Sequence, residues 1–544
     1  MYTSYLRRAA VALSSLSALV FLLWALPQVL NPIPPTEEER ARDSHWVDTS
    51  PYWIDRQACR FLGLCGIHHV RWDAPALPDD ATNDDREDVI KWDDLKWIDL
   101  KRWSASEHTR KRDVKGPWVS VKKPDDGKTR LVGDIPEYVL KYAPLVHLYS
   151  GEHFYPSDIA EFITHMIPYT NGSAMNLTEP ITLDNLYDLD NEPNRVFLTA
   201  EVDVETRPKW LHDYKNKPNP WQDEEDGNEE HDGDHELVVE DPDKQNPPMD
   251  TTIWWEVDKD SSAREVTDPS RRSIRRREKG RFNTEAQQHM VPPVPMYKPD
   301  AEGYSKAPAV LVMVDKGSGI LDAFWFYFYA FNLGQTVLRM RFGNHVGDWE
   351  YSMVRFENGV PRAMFLSEHE GGKAYLWDAL EKRKTRYDAP GETVADEELV
   401  ERPVIYSAVG SHAMYADSGK HPYVIPFGLL ADETDRGPLW DPARNTYAYF
   451  YDPEANDEGN ITSSLIPAAS NPEAPTDWFH FSGAWGDETY DLCDKRQWRL
   501  FGQYHYVSGP QGPKFKKLDR EKVCSSDNCK IVKSIAAGKK STWY

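Results

Sequence analysis

Three side chains within six positions carry the most suggestive chemistry in this sequence: His345, Asp348 and Glu350, in Gly343-Asn344-His345-Val346-Gly347-Asp348-Trp349-Glu350-Tyr351. On a strand, successive side chains alternate, so Asp348, Glu350 and Ser352 share one face while Trp349 and Tyr351 take the other. Two carboxylates on one face repel unless one is protonated, a cationic group separates them, or a cation sits between them. With the His345 imidazole swung over the same face, the set makes a divalent-ion site. Oxygen-rich ligation favours calcium, magnesium or manganese; zinc accepts imidazole more readily. The competing interpretation is a hydrogen-bonded polar network at a strand end, with no ion.

Two more histidines extend the pattern. His369 lies in Ser367-Glu368-His369-Glu370, and His412 in Gly410-Ser411-His412-Ala413. In a metal-dependent hydrolase the ion would lower the pKa of a water, and His412 or His369 would handle the proton. Gly410-Ser411-His412 lacks the following glycine of a nucleophile elbow, and Walker, Rossmann and His-Glu-x-x-His signatures are missing.

The elements that must gather these residues read as β. Runs at 310–314, 324–329, 349–356, 361–366 and 404–409 are rich in Val, Phe, Trp and Tyr and are separated by Gly, Asn or Pro. Asn358-Gly359 is a hairpin signal that returns His369 toward Asp348, and His412 ends a later strand. Helices are few and short; one starts at Ile159 with Ser157 able to cap it. The expected fold is mostly β: an antiparallel β-sandwich body with short helices, an N-terminal transmembrane helix and a charged disordered insertion.

The layout follows composition. Residues 1–8 read as a cytosolic tail, 9–30 as a transmembrane signal anchor, and 31–116 as a lumenal stalk that meets the body through Tyr52-Trp53-Ile54 and Phe61-Leu62. Regular structure is expected from about Trp118. Residues 117–213 form the N-terminal part of the β-rich body, 214–300 the charged insertion, 301–515 the main sandwich part, and 516–544 a C-terminal tail. The insertion combines twelve acids between Asp223 and Asp243 with a basic run from Arg271 to Arg281 that is either a processing site or a solvated loop.

Length and charge set limits. The 544 residues contain 20 Trp, 27 Tyr and 19 Phe, enough for a sizeable core. A net charge of -25 repels phosphate backbones, so nucleic acid is excluded as a partner.

Arg7 and Arg8 precede an uncharged stretch, Ala9 to Leu30, long enough as a helix to span ~30 Å of hydrocarbon. The expected partner of residues 9–30 is the endomembrane lipid bilayer, in a single-pass type II topology with a lumenal body. Cleavage near Ala25 would instead release a secreted protein. Asn171, Asn176 and Asn460 stand in glycosylation acceptor patterns. Cys59 with Cys65 and Cys524 with Cys529 are spaced to close small disulfide loops, leaving Cys493 free or paired elsewhere.

In order along residues 117–515, several segments resemble the fungal vacuolar protein sorting-associated protein 62 family: Tyr142-Ala143-Pro144-Leu145, Tyr155-Pro156-Ser157, Tyr327 to Asn332, Gly343 to Glu350, Ser367-Glu368-His369, Gly410-Ser411-His412-Ala413, Trp485-Gly486-Asp487 and Gly509 to Pro513. The resemblance implies a role in protein delivery to the vacuole. A second, more local one is to the necrosis-inducing cytolysin-like proteins, β-sandwiches that bind a divalent ion. Their Gly-His-Arg-His-Asp-Trp-Glu motif is similar to His345 to Glu350, with Gly347 in place of the second histidine. His412 matches their downstream histidine.

Three functions are therefore expected in competition. The first is a lumenal, membrane-anchored protein acting in vacuolar sorting or endomembrane maintenance without catalysis. The second is a metal-dependent hydrolase. The third is an ion-ordered binder of a glycan or lipid headgroup; the expected partners are a protein, a glycan or a lipid headgroup.

Overall fold

A computed structural model describes residues 11–21, 24–25, 34–73, 118–122, 129–213, 297–369, 371–387, 398–422, 431–457, 464–526 and 530–540. The strands of its two larger sheets are, in chain order, β1 (Leu145–His147), β2 (Ala309–Gly317), β3 (Ile320–Asn332), β4 (His345–Glu357), β5 (Val360–Glu368), β6 (Gly371–Leu376), β7 (Lys382–Tyr387), β8 (Glu398–Ser407), β9 (Met414–Tyr415), β10 (Leu439–Trp440), β11 (Thr446–Tyr451), β12 (Leu465–Pro467) and β13 (Ile531–Val532). The eight-stranded sheet runs β12-β11-β2-β3-β4-β5-β6-β13. The five-stranded sheet runs β7-β8-β1-β10, with β9 on β8.

Both faces of β3 and β4 are covered. Phe324, Phe326 and Phe328 of β3 join Trp349, Tyr351 and Met353 of β4 in one core, closed by Phe162, Leu186, Leu211 and Trp478 from short helical segments. Trp325, Tyr327 and Tyr329 point the other way, into a second core with Val146, Ile405, Met414 and Trp440 of the five-stranded sheet. This explains the unbroken aromatic run of β3, since a strand wet on one face would alternate.

The expected antiparallel β-sandwich is therefore corrected. The chain is a mixed α/β fold of several sheets and short helices, and among the described residues no sheet closes into a barrel or sandwich. A sandwich sheet keeps one face in water, whereas β3 and β4, at the centre of this sheet, are buried on both. Three strand pairs are parallel as well: β11 with β2, β8 with β1, and β6 with β13.

The N-terminal expectation is also corrected. Helix is found at residues 11–21 and 24–25, and among the described residues no helix is long and apolar enough to cross a membrane. A helical run over 11–21 is about 16 Å long, half the hydrocarbon thickness. The signal anchor over 9–30, its bilayer contact, and the single-pass type II topology with a lumenal body all rested on that span and are unsupported.

Regular structure also starts before Trp118. Helices α1 (Glu37–Asp48) and α2 (Trp53–Leu62) precede it, α1 behind a capping box of Thr36 and Glu39. Trp46, Val47, Cys59 and Cys65 pack on Leu492, while Trp53, Ile54 and Phe61, the expected contacts, stay exposed. The charged insertion lies outside the described residues as far as 296; Tyr297 is already in the second core.

Candidate functional site

The polar residues of β4 face the second core. Asp348 stands opposite Tyr329, Glu350 opposite Tyr327, and Ser352 opposite Trp325. Val346, two residues before Asp348, lies with Trp349 and Tyr351 in the first core, so the alternation changes phase at Gly347. That glycine has φ +65°, and a Cβ there would fall 2.0 Å from the Trp485 carbonyl oxygen. The phase change returns His345 to the side of Asp348, whose charge acts on it. The His345 Nδ1–H donates to the Gly347 carbonyl at 2.6 Å, and burial holds the ring's pKa below its ordinary value, which keeps it neutral.

His412 provides the balancing charge. It is fully buried, in a tight turn where its own φ is +55° and that of Gly410 is +70°. Its ring stacks on Tyr329 at 3.7 Å. Nδ1–H donates to Asp348 Oδ2 at 2.9 Å, and Nε2 stands 3.8 Å from Glu152 Oε1. Burial pulls the His412 pKa down, but the two carboxylates outweigh it and hold it up at about 9. Glu152 is fixed in turn by N–H donors from His153, Phe154 and Gly410.

The remaining members form a second cluster. Ser367 donates to Glu350 Oε2 and accepts the Tyr351 N–H at 2.9 Å. Burial and then the charge of Asp348 push Glu350 up to about 7. His369, just past β5 and partly exposed, donates from Nε2 to Asp432 at 2.7 Å. Asp432 also accepts from Ser411, Tyr415 and Gln335. Burial pushes its pKa up, but the charge and hydrogen bond of His369, with the bonds from Tyr415 and Ser411, outweigh it and hold it down.

The five residues singled out from sequence thus occupy one region, but not as one ligand set. Asp348 is bonded to His412, Glu350 to Ser367, and His369 to Asp432. Among the described residues no three His, Cys, Asp or Glu side chains are gathered so that they could hold a metal ion. Glu152 and Asp432 were missed by sequence reasoning. Glu152 reaches Gly410 across 258 positions, and no spacing rule signals such a pairing.

Of the other expected sites, Asn171 and Asn176 are exposed, and Asn460 lies outside the described residues. Cys59 and Cys65 are bonded to each other. Cys524 is in a disulfide, its expected partner Cys529 being outside the described residues; Cys493 is free and exposed.

Fold and site together define a mixed α/β protein with a sealed His–carboxylate centre between two sheets. No protein-family model matches the chain. Two Saccharomyces cerevisiae proteins named for vacuolar protein sorting do. TDA6 is 35% identical over 412 residues, covering 72% of this chain and 69% of its own length. Vacuolar protein sorting-associated protein 62 is 33% identical over 406 residues, covering 74% and 70%. The chain belongs to the vacuolar protein sorting-associated protein 62 family. A solved structure titled "Toxin fold for microbial attack and plant defense" matches 20% of this chain and 57% of its own at 16% identity and a TM-score of 0.11, which carries no argument.

Proposed function

We propose that this chain acts in vacuolar protein sorting, with the His412 centre as a clasp that holds the β1 and β8 sheet on β4. The carrying observation is its identity to two proteins named for that process over about 70% of their lengths. The exposed Asn171 and Asn176 and the Cys59–Cys65 bond fit passage through an oxidising secretory route. The sealed centre supports the clasp: His412 and Asp432 are fully buried, and each bridges segments far apart in sequence.

The test is complementation. In yeast cells lacking both relatives, this chain should lower the fraction of a vacuolar hydrolase that escapes into the medium. A folded, expressed chain that leaves that fraction unchanged would contradict the assignment. Glycosidase treatment of host-made protein should lower its apparent mass, and no shift would remove glycosylation from the account.

A divalent cation at His345, Asp348 and Glu350 is the second reading. One observation favours it: the His345 Nδ1–H bonds the Gly347 carbonyl, which leaves Nε2 to accept a metal. It requires Ser367 and His412 to release the carboxylates. Calcium, magnesium or manganese should then raise the melting temperature of the wild type and not of Glu350→Gln; equal curves with chelator and with each ion would end this reading.

A further inference from the structure

At the end of β4 remote from His412, two hairpin tips lie side by side. Ser318-Gly319 joins β2 to β3 and Asn358-Gly359 joins β4 to β5, all four residues with φ between 51° and 78°. The tips are bonded, the Asn358 N–H donating to the Gly319 carbonyl at 2.8 Å. Beside them lies helix α3 (Glu137–Lys141), whose Tyr138 ring packs on Phe356. Together they enclose an open hollow of about 350 Å³, at the small end of the ~300–1,000 Å³ typical of ligand pockets.

The walls have a defined chemistry. Glycine is favoured where they touch, since both Gly319 and Gly359 have φ +78°; a Cβ on Gly319 would fall 2.2 Å from Asn358 Oδ1, and one on Gly359 would meet the Tyr138 ring at 3.2 Å. Asp315 spends Oδ1 on the Gly317 N–H at 2.8 Å. Its Oδ2, the Tyr138 hydroxyl, the Asn358 amide and the Ser318 hydroxyl have no protein hydrogen-bond partner among the described residues. The Asp315 charge reaches the Tyr138 hydroxyl. One carboxylate oxygen, one amide and two hydroxyls around one aromatic ring, with no cationic side chain among the described lining residues, match a neutral polyol with an apolar ring face better than a phosphate or carboxylate.

We propose that this hollow binds the terminal pyranose of a neutral glycan, with Asp315 accepting two sugar hydroxyls, Asn358 donating to a third, and Tyr138 lying against the ring's C–H face. The proposal is independent of the sorting assignment, because sugar binding is read on purified protein.

The experiment is saturation-transfer NMR on the full chain with methyl α-D-mannopyranoside, methyl β-D-glucopyranoside and N-acetylglucosamine, each at about 10 mM, suited to weak binding. The expected result is transfer to the ring protons of at least one sugar, falling at least tenfold in Asp315→Ala and also reduced in Tyr138→Leu, which removes the aromatic face, both with the wild-type melting temperature. If Asp315→Ala melts lower, Asn358→Asp, which keeps a turn-forming residue and removes the donor, takes its place with the same expected loss. No transfer to any of the three sugars, or equal transfer in wild type and folded variants, overturns the proposal.

Discussion

The two faces of β4 answer the same demand, burial without water, by opposite means. On one, Trp349 and Tyr351 meet Phe326, Phe328 and Trp485 ring against ring, and nearly any apolar shape that fills the space will serve. On the other, Asp348 and Glu350 are as deeply buried, and each needs a particular partner at a particular distance. The apolar face tolerates adjustment. The charged face is stable only as a complete set, because an uncompensated buried charge costs more than the finished network gains.

Removing His412 is the hardest break of the comparison. His412→Ala leaves Asp348 and Glu152 facing each other without a cation and should cost about 3–5 kcal/mol in denaturant titration. A loss below about 1 kcal/mol would show that the ring is not a charge bridge. Across the strand, Trp349→Phe should cost about 1–3 kcal/mol, and that cost should be the same at every pH. An acid-dependent cost there would mean the two faces are coupled.

Titration separates the faces further. Glu350 ionises near 4.5 when unfolded and near about 7 when folded, so the folded state holds the extra proton between those values. Stability therefore falls as pH rises through that window, and Glu350→Gln should flatten the fall by several degrees of melting temperature. His412 runs from 6.5 unfolded to about 9 folded, so its contribution is complete below 6.5 and is lost as pH rises through 9. The smallest effect is expected at exposed Phe61, where Phe61→Ser should move stability by no more than about 0.5 kcal/mol.

The strands and their alternation were legible; the long-range partners of the charged face were not. Alternation from Asp348 to Ser352, the Asn358-Gly359 hairpin and the return of His369 beside β4 follow from local rules, and the structure has each of them. The phase change at Gly347 was not legible, because it depends on the Trp485 carbonyl, distant in sequence. Nor were Glu152 and Asp432, ordinary acids until the fold sets them against His412 and His369. A cap slipped by one residue: Asp158, not Ser157, accepts the Ala160 N–H at the start of α4 (Ile159–Ile163). Aromatic runs identified strands correctly but not their second covered face, and this turned an expected sandwich into a mixed fold. The apolar stretch after Arg8 was read from hydropathy and length alone, and the helix described there is too short to span.

The most direct measurement is the ring-nitrogen chemical shift of His412 in histidine-labelled full chain, assigned with His412→Gln and followed from pH 5 to pH 10. A buried imidazolium clasped between Asp348 and Glu152 predicts both nitrogens protonated past pH 8, with loss only near 9. A His412 that gives up its proton at or below 6.5 in the folded protein would contradict it.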